Sequence, residues 1–107
     1  MTYSSNAAEV LDALGDPTRR AVLELLREGP RAVVDIAAEV PVSRPAVSQH
    51  LRVLKGAGLV TERKDGTRRL YRIDPQGLAA LRTYLESFWS DALAAFRDIA
   101  EQEGDDR

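Results

Sequence analysis

The sequence predicts a mainly α domain with one small β-hairpin, an α+β chain in the order α-α-α-α-β-β-α, and three observations predict it. Apolar residues recur at intervals of three and four in five stretches separated by Gly, Pro or Asp-Pro signals, which is the period of a helix with one buried face. Between Leu59 and Ile73 the period changes to two short runs rich in β-branched and aromatic residues, split by Asp65-Gly66. Finally, the third and fourth helical stretches are separated by Pro41-Val42 alone, and the fourth carries no acid on its outer side.

Each element has a local signal. Ser5 or Asn6 can cap a first helix reaching Leu14, with Ala7, Val10, Leu11 and Leu14 on one face and Gly15 closing it. Asp16-Pro17 supplies the N-cap and first position of a second helix, which turns Ala21, Val22, Leu25 and Leu26 inward and stops at Gly29-Pro30. A third helix over residues 33–39 places Ile36, Ala37 and Val40 toward the core. The fourth spans residues 44–55, with Ser43 as N-cap, Pro45 in the first turn, and Gly56 with Gly58 to end it. Its Val47, Leu51 and Leu54 form a dry stripe, while Arg44, Ser48, Gln49, Arg52 and Lys55 lie on the other side. This pair of helices has the layout of a helix-turn-helix.

Runs 59–64 and 67–73, joined by Asp65-Gly66 as a type I′ turn, form a hairpin whose tip carries Arg63, Lys64, Arg68 and Arg69. An isolated hairpin is marginal in water, so Val60, Leu70, Tyr71 and Ile73 should pack partly onto the helices. Such a cationic tip beside a helix-turn-helix is a wing, and the whole is a winged helix-turn-helix. Asp74-Pro75 opens a last helix over residues 75–101, about 39 Å long at 1.5 Å per residue. Its Leu78, Leu81, Leu85, Phe88, Ala92, Phe96 and Ile99, widened by Trp89 and Leu93, exceed what a core this small can cover. The spare face calls for a second copy of the chain. Helices 5–14 and 75–101 then form a two-fold interface through Val10, Leu11, Leu78, Leu81, Leu85, Phe88, Trp89, Ala92 and Phe96. Residues 103–107, with Gly104 and three acids, read as a disordered tail.

Composition narrows the function. The 107 residues make one domain, 1–107, with no linker, repeat or low-complexity tract. Without cysteine there is no disulfide, thiolate ligand or thiol nucleophile, and the start shows no secretory signal and no membrane span, which fits a cytoplasmic protein. No nucleophile–base arrangement or metal-ligand spacing appears, so the chain reads as no enzyme, with no cofactor and no metal site. The net charge of −2 hides an asymmetry. Residues 43–72 hold eight basic residues, the eighth being Arg72, against Glu62 and Asp65, whereas the remainder holds seven basic and fifteen acidic. Charge concentrated on one third of a chain is the footprint of a nucleic-acid binder, although a solvated face or an acidic protein partner would satisfy the same pattern.

On the DNA reading, Ser43, Arg44, Ser48 and Gln49 read base edges in the major groove, with Pro45 in apolar contact. Arg52, Lys55, Arg63, Lys64, Arg68 and Arg69 contact the backbone. His50, the only histidine, either donates to a phosphate or settles into a core hydrogen bond; it is grouped with the backbone contacts. The competing reading is a winged-helix module whose cationic face docks an acidic protein.

Four pieces of the chain resemble the bacterial winged-helix repressors of the arsenic-repressor (ArsR) family: A-L-G-D-P-T-R-R at 13–20, P-V-S-R-P-A-V-S-Q-H-L-R-V-L-K at 41–55, A-G-L-V at 57–60, and D-G-T-R-R-L-Y-R-I at 65–73. The resemblance implies a homodimer joined by its first and last helices, binding an imperfect inverted repeat of double-stranded DNA and repressing transcription, commonly of its own operon. It departs from the metal-sensing members where they carry Cys-x-Cys, for here Ala32 and Val34 stand before Asp35-Ile36, and methyl groups ligate no soft metal. The Asp and His pairing of the other metal site also lacks its histidine, since His50 belongs to the fourth helix. Any small-molecule effector is unspecified by these residues.

Overall fold

The computed structural model describes residues 2–105, with side chains from Asn6 to Glu103. Its elements are α1 (Thr2–Leu14), α2 (Pro17–Leu25), a 3₁₀ turn (Leu26–Glu28), β1 (Arg31–Ala32), α3 (Val33–Ala37), α4 (Arg44–Gly56), β2 (Val60–Asp65), β3 (Arg68–Ile73) and α5 (Pro75–Asp105). This is the winged helix-turn-helix the sequence predicts, with an added strand.

Local chemistry sets the helix ends. The Asp16 carboxylate accepts from the backbone N–H groups of Thr18 (2.7 Å) and Arg19 (3.1 Å), so it caps α2. In the other direction, Arg19 Nε donates to the Ala13 carbonyl and Arg20 Nη1 to the Leu14 carbonyl, both at 2.7 Å, satisfying the open end of α1. The D-P-T-R-R stretch thus finishes one helix and starts the next. Ser43 Oγ accepts from Ala46 N at 3.3 Å and caps α4, and Asp74 Oδ1 accepts from Gln76 N at 3.0 Å at the start of α5. Behind these caps, Val10, Val22, Ile36, Val47, Leu51 and Leu54 are wholly buried in one core. Val60 joins it and Tyr71 and Ile73 pack against it, as expected of the hairpin, whereas Leu70 alternates to the other face of β3, opposite Arg63, and stays out of this packing.

Several sequence expectations are corrected. The sheet has three antiparallel strands in the order β1-β3-β2, because Arg31 and Ala32 pair with Tyr71 and Leu70 on the outer edge of β3. Two residues carry no period, so no sequence pattern reveals them. The hairpin turn is centred on Gly66-Thr67, since Asp65 pairs with Arg68. Gly66 has φ +66° and no described non-glycine residue has positive φ, which is the arrangement of a type II′ turn and not of type I′. The shift changes the register. Central residues 65 and 66 would have opposed Glu62 to Arg69; instead Glu62 faces Tyr71 and Lys64 faces Arg69.

The helix boundaries differ as well. α1 already runs at Thr2, so Ser5 and Asn6 lie within it and do not cap it. α3 stops at Ala37 instead of Glu39, and the connection to α4 takes residues 38–43. Gly56 lies inside α4, and Gly58, at φ +79°, makes the reversal. Ala21 is exposed on α2, not turned inward. α5 is 31 residues, about 46 Å long, and it takes in residues 103–105, which the composition assigns to a disordered tail; 106–107 lie outside the described residues. α5 packs along α1 and then continues beyond the core, which gives the chain a longest dimension of 71 Å. Its base is anchored by a close backbone approach, in which buried Gly77 lies against the Gly58 carbonyl.

Candidate nucleic-acid interface

α4 presents its outer face because Val47, Leu51 and Leu54 fix its rotation, all with 0% exposure. Arg44, Pro45, Ser48, Gln49, Arg52 and Lys55 are all exposed as predicted, and Ser43 is exposed while its hydroxyl oxygen serves the cap. Two polar donor-rich side chains, Ser48 and Gln49, are thus flanked by guanidinium and ammonium groups on one helix surface. His50 is different. It is half-buried on the flank of α4. The Asp16 carboxyl is held below its usual range chiefly by the backbone N–H of Arg19, with Thr18, Arg19 and His50 adding to the effect against partial burial.

The hairpin does not gather its four cations into one cluster. Directly opposed residues share a face of the sheet, so Lys64 and Arg69 stand with Glu62 and Tyr71, while Arg63 and Arg68 occupy the opposite face with Arg72. Lys64 directly opposite Arg69 is a like-charge pair, which costs stability unless an anion sits nearby. Among the described residues Arg44, Arg52, Arg63, Lys64 and Arg68 form no ion pair and remain available to phosphates.

Glu62 joins helix to wing, and sequence reasoning missed it. One of its oxygens, Oε1, accepts from Lys55 Nζ at 2.7 Å and Arg69 Nη1 at 3.3 Å, and its side chain is only 18% exposed. Lys55 holds the Glu62 carboxyl below its usual range, the Tyr71 hydroxyl adds to this, and desolvation opposes both. In turn burial, then Glu62, push the Tyr71 hydroxyl up. Ser48, Leu51, Arg52, Lys55, Glu62, Arg69 and Tyr71 line a cleft of about 270 Å³ between α4 and the hairpin. The only sequence signal for this was an acid inside a basic run, and its partner depended on the turn register.

The proposed dimer surface divides likewise. Leu11, Leu78, Leu85, Phe88, Trp89, Ala92 and Phe96 are exposed, with Trp89 at 67% and Phe96 at 74%. Val10, in contrast, is entirely buried in the chain's own core and Leu81 is half-buried against the same core, so Val10 cannot present surface to a partner. Leu93 and Ile99 extend the exposed strip. Among the described residues no three potential metal-ligating side chains come together, and Ala32 and Val34 put methyl groups at the start of α3. Among the described residues no helix is long and apolar enough to cross a membrane.

Comparison with known proteins gives a consistent picture. The family model described as bacterial regulatory protein, arsR family, matches residues 16–62, from the α2 cap to Glu62. The HTH-type transcriptional regulator Rv2034 of Mycobacterium tuberculosis is 58% identical over 94 residues, 88% of each chain. Among solved structures, an ArsR-like transcriptional regulator from Rhodococcus sp. RHA1 superposes with a TM-score of 0.77 at 33% identity, over 94% of this chain and 97% of that one. The homodimeric winged helix-turn-helix DNA-binding domain Mb0332 from Mycobacterium bovis superposes with a TM-score of 0.66 at 35% identity, over 83% and 82% of the two chains.

Proposed function

The chain belongs to the bacterial arsR family of regulatory proteins, DNA-binding transcriptional regulators and not enzymes, and from that membership we propose that it is a homodimeric repressor acting in the cytoplasm on an inverted-repeat operator, without the family's cysteine-based metal switch. The observation that carries this reading is the exposed α4 face of Arg44, Ser48, Gln49 and Arg52, held outward by three wholly buried residues and set beside a cationic hairpin. Ser43, Arg44, Ser48 and Gln49 read bases, Pro45 makes apolar contact, and Arg52, Lys55, Arg63, Lys64, Arg68 and Arg69 hold phosphates. His50, half-buried on α4, faces the DNA backbone.

The partner is a second copy. The exposed strip of α5 from Leu78 through Ile99 is too long and too aromatic to leave in water, and the related Mycobacterium bovis domain is a homodimer. Two-fold symmetry sets the two recognition helices about 34–36 Å apart or a multiple of it, so that each enters a half-site on the same side of the duplex. Ala32 and Val34 leave the start of α3 without sulfur ligands, which supports control by something other than a soft metal.

Salt titration on duplex DNA tests the reading. Several phosphate contacts give a steep linear fall of log K with log salt, with a slope of about −0.9 for each phosphate neutralised. Absence of any retarded duplex in dilute buffer, or sedimentation as single chains at working concentrations, would overturn it. Footprinting on the promoter of its own gene, with and without metal ions, checks the operator and the metal independence together.

A further inference from the structure

We propose that Glu62 is the built-in counter-anion of the DNA interface: it occupies Lys55 of the recognition helix and Arg69 of the wing in the free protein, and so sets the preference for a docked operator over random duplex. This rests on the DNA-binding reading above and assigns a specificity role to a residue that itself touches no base.

The geometry carries it. A single oxygen of Glu62 takes both cations, at 2.7 Å and 3.3 Å, from two different elements. The cleft around it holds Arg52, Lys55 and Arg69 against this one acid. The β2–β3 register keeps Glu62 opposite Tyr71, and its 18% exposure keeps the carboxylate from swinging away into solvent. The other acid of this region, Asp65, is exposed at the hairpin end and forms no ion pair among the described residues.

Random duplex is held by diffuse attraction between phosphates and whatever cations are free, and a cation already neutralised contributes less to it. A duplex on which α4 has seated in the groove brings one phosphate to a fixed position at the mouth of the helix–wing cleft, where it competes with the carboxylate on equal geometric terms. Glu62 therefore weakens binding to random duplex more than to operator. It also ties the end of α4 to the wing, so that both elements meet the duplex in one arrangement.

The experiment uses the full chain and two probes: a duplex of about 30 base pairs selected by the wild-type protein from a random library, which spans roughly three turns, and poly(dI-dC). Affinities are measured by fluorescence anisotropy over a range of salt for wild type, Glu62→Gln, Glu62→Asp and Asp65→Asn. Glu62→Gln is expected to tighten poly(dI-dC) about tenfold and the selected duplex no more than about twofold, with the poly(dI-dC) salt slope steeper by about one unit. Asp65→Asn, which removes the same charge, is expected to tighten both probes alike. Equal factors for both probes in Glu62→Gln would overturn the proposal. Should Glu62→Gln lose its helical circular dichroism, Glu62→Asp decides. It keeps the charge but is one methylene too short to hold both cations, so the affinity ratio should fall at least about twofold, and a wild-type ratio would overturn the proposal. A wild-type chain that selects no duplex at all overturns the DNA reading and this inference with it, an outcome distinct from selection with an unchanged ratio.

Discussion

Two glycine substitutions near the recognition helix should change stability in opposite directions. A Cβ on Gly77 would fall against the Gly58 carbonyl, 2.7 Å from its carbon and 3.1 Å from Leu59 N, and these atoms are backbone. They cannot rotate aside, so α5 must move off the turn that follows α4. Overpacking of this kind costs about 1–3 kcal/mol, at the upper end where the obstruction is rigid. The better helix propensity of alanine returns at most about 1 kcal/mol. Gly77→Ala is therefore expected to lose about 2 kcal/mol, a large share of a typical domain's stability. Gly56 sits inside α4 without a positive φ, and a methyl group added there would meet nothing within 4 Å. Gly56→Ala should gain about 0.5–1 kcal/mol by restricting the unfolded chain. The assay is urea unfolding at one fixed protein concentration, since the proposed dimer would make the midpoint concentration-dependent. With unchanged slopes, the Gly77→Ala midpoint should fall by about 1 M. A Gly77→Ala protein as stable as wild type or more so would refute the close approach between α5 and the Gly58 turn, and a Gly56→Ala protein less stable than wild type would refute the open space at Gly56.

At the interface, Gln49→Ala should cost about 1–3 kcal/mol at one base position and relax the sequence preference there, as read by competition among single-base operator variants. Arg68→Ala should weaken all sequences alike and reduce the salt slope by about one unit. On α5, Phe96→Ser removes the most exposed of the large apolar side chains noted, at 74%. Full burial of such a ring is worth about 1.5–3 kcal/mol, and a two-fold dimer loses it twice, so sedimentation equilibrium should show monomers at concentrations where wild type is paired. Glu62 and Asp16 both have carboxyls held below their usual values, by Lys55 and by the Arg19 N–H respectively. Their stabilisation is present above the ordinary values of 4.5 and 3.8 and is lost as pH falls through the lowered ones. Unfolding midpoints should accordingly drop below about pH 4.5, and drop less steeply in Glu62→Gln, as followed by thermal melts in matched buffers.

Much of the fold could be read from residues and their near neighbours. Asp16, Ser43 and Asp74 announce helix starts because a cap acts on N–H groups two or three residues away. The stripe Val47, Leu51, Leu54 fixes which side of α4 faces out for the same reason, since a helix repeats every 3.6 residues. The cationic character of residues 43–72 and the unspent apolar length of α5 were likewise present in composition and period alone.

Tertiary structure decided what depends on residues far apart in the chain. β1 exists because Arg31 and Ala32 meet Tyr71 and Leu70 across roughly forty residues, a pairing no local preference encodes. The one-position difference at Gly66-Thr67 put Glu62 opposite Tyr71, brought it to Lys55 and Arg69, and divided the wing's cations between two faces. Val10 and Phe96 share the same apolar periodicity, yet packing buries one wholly and leaves the other in water. Period tells which side of a helix is apolar; only the surrounding elements determine whether that side is covered by its own subunit or left open for another.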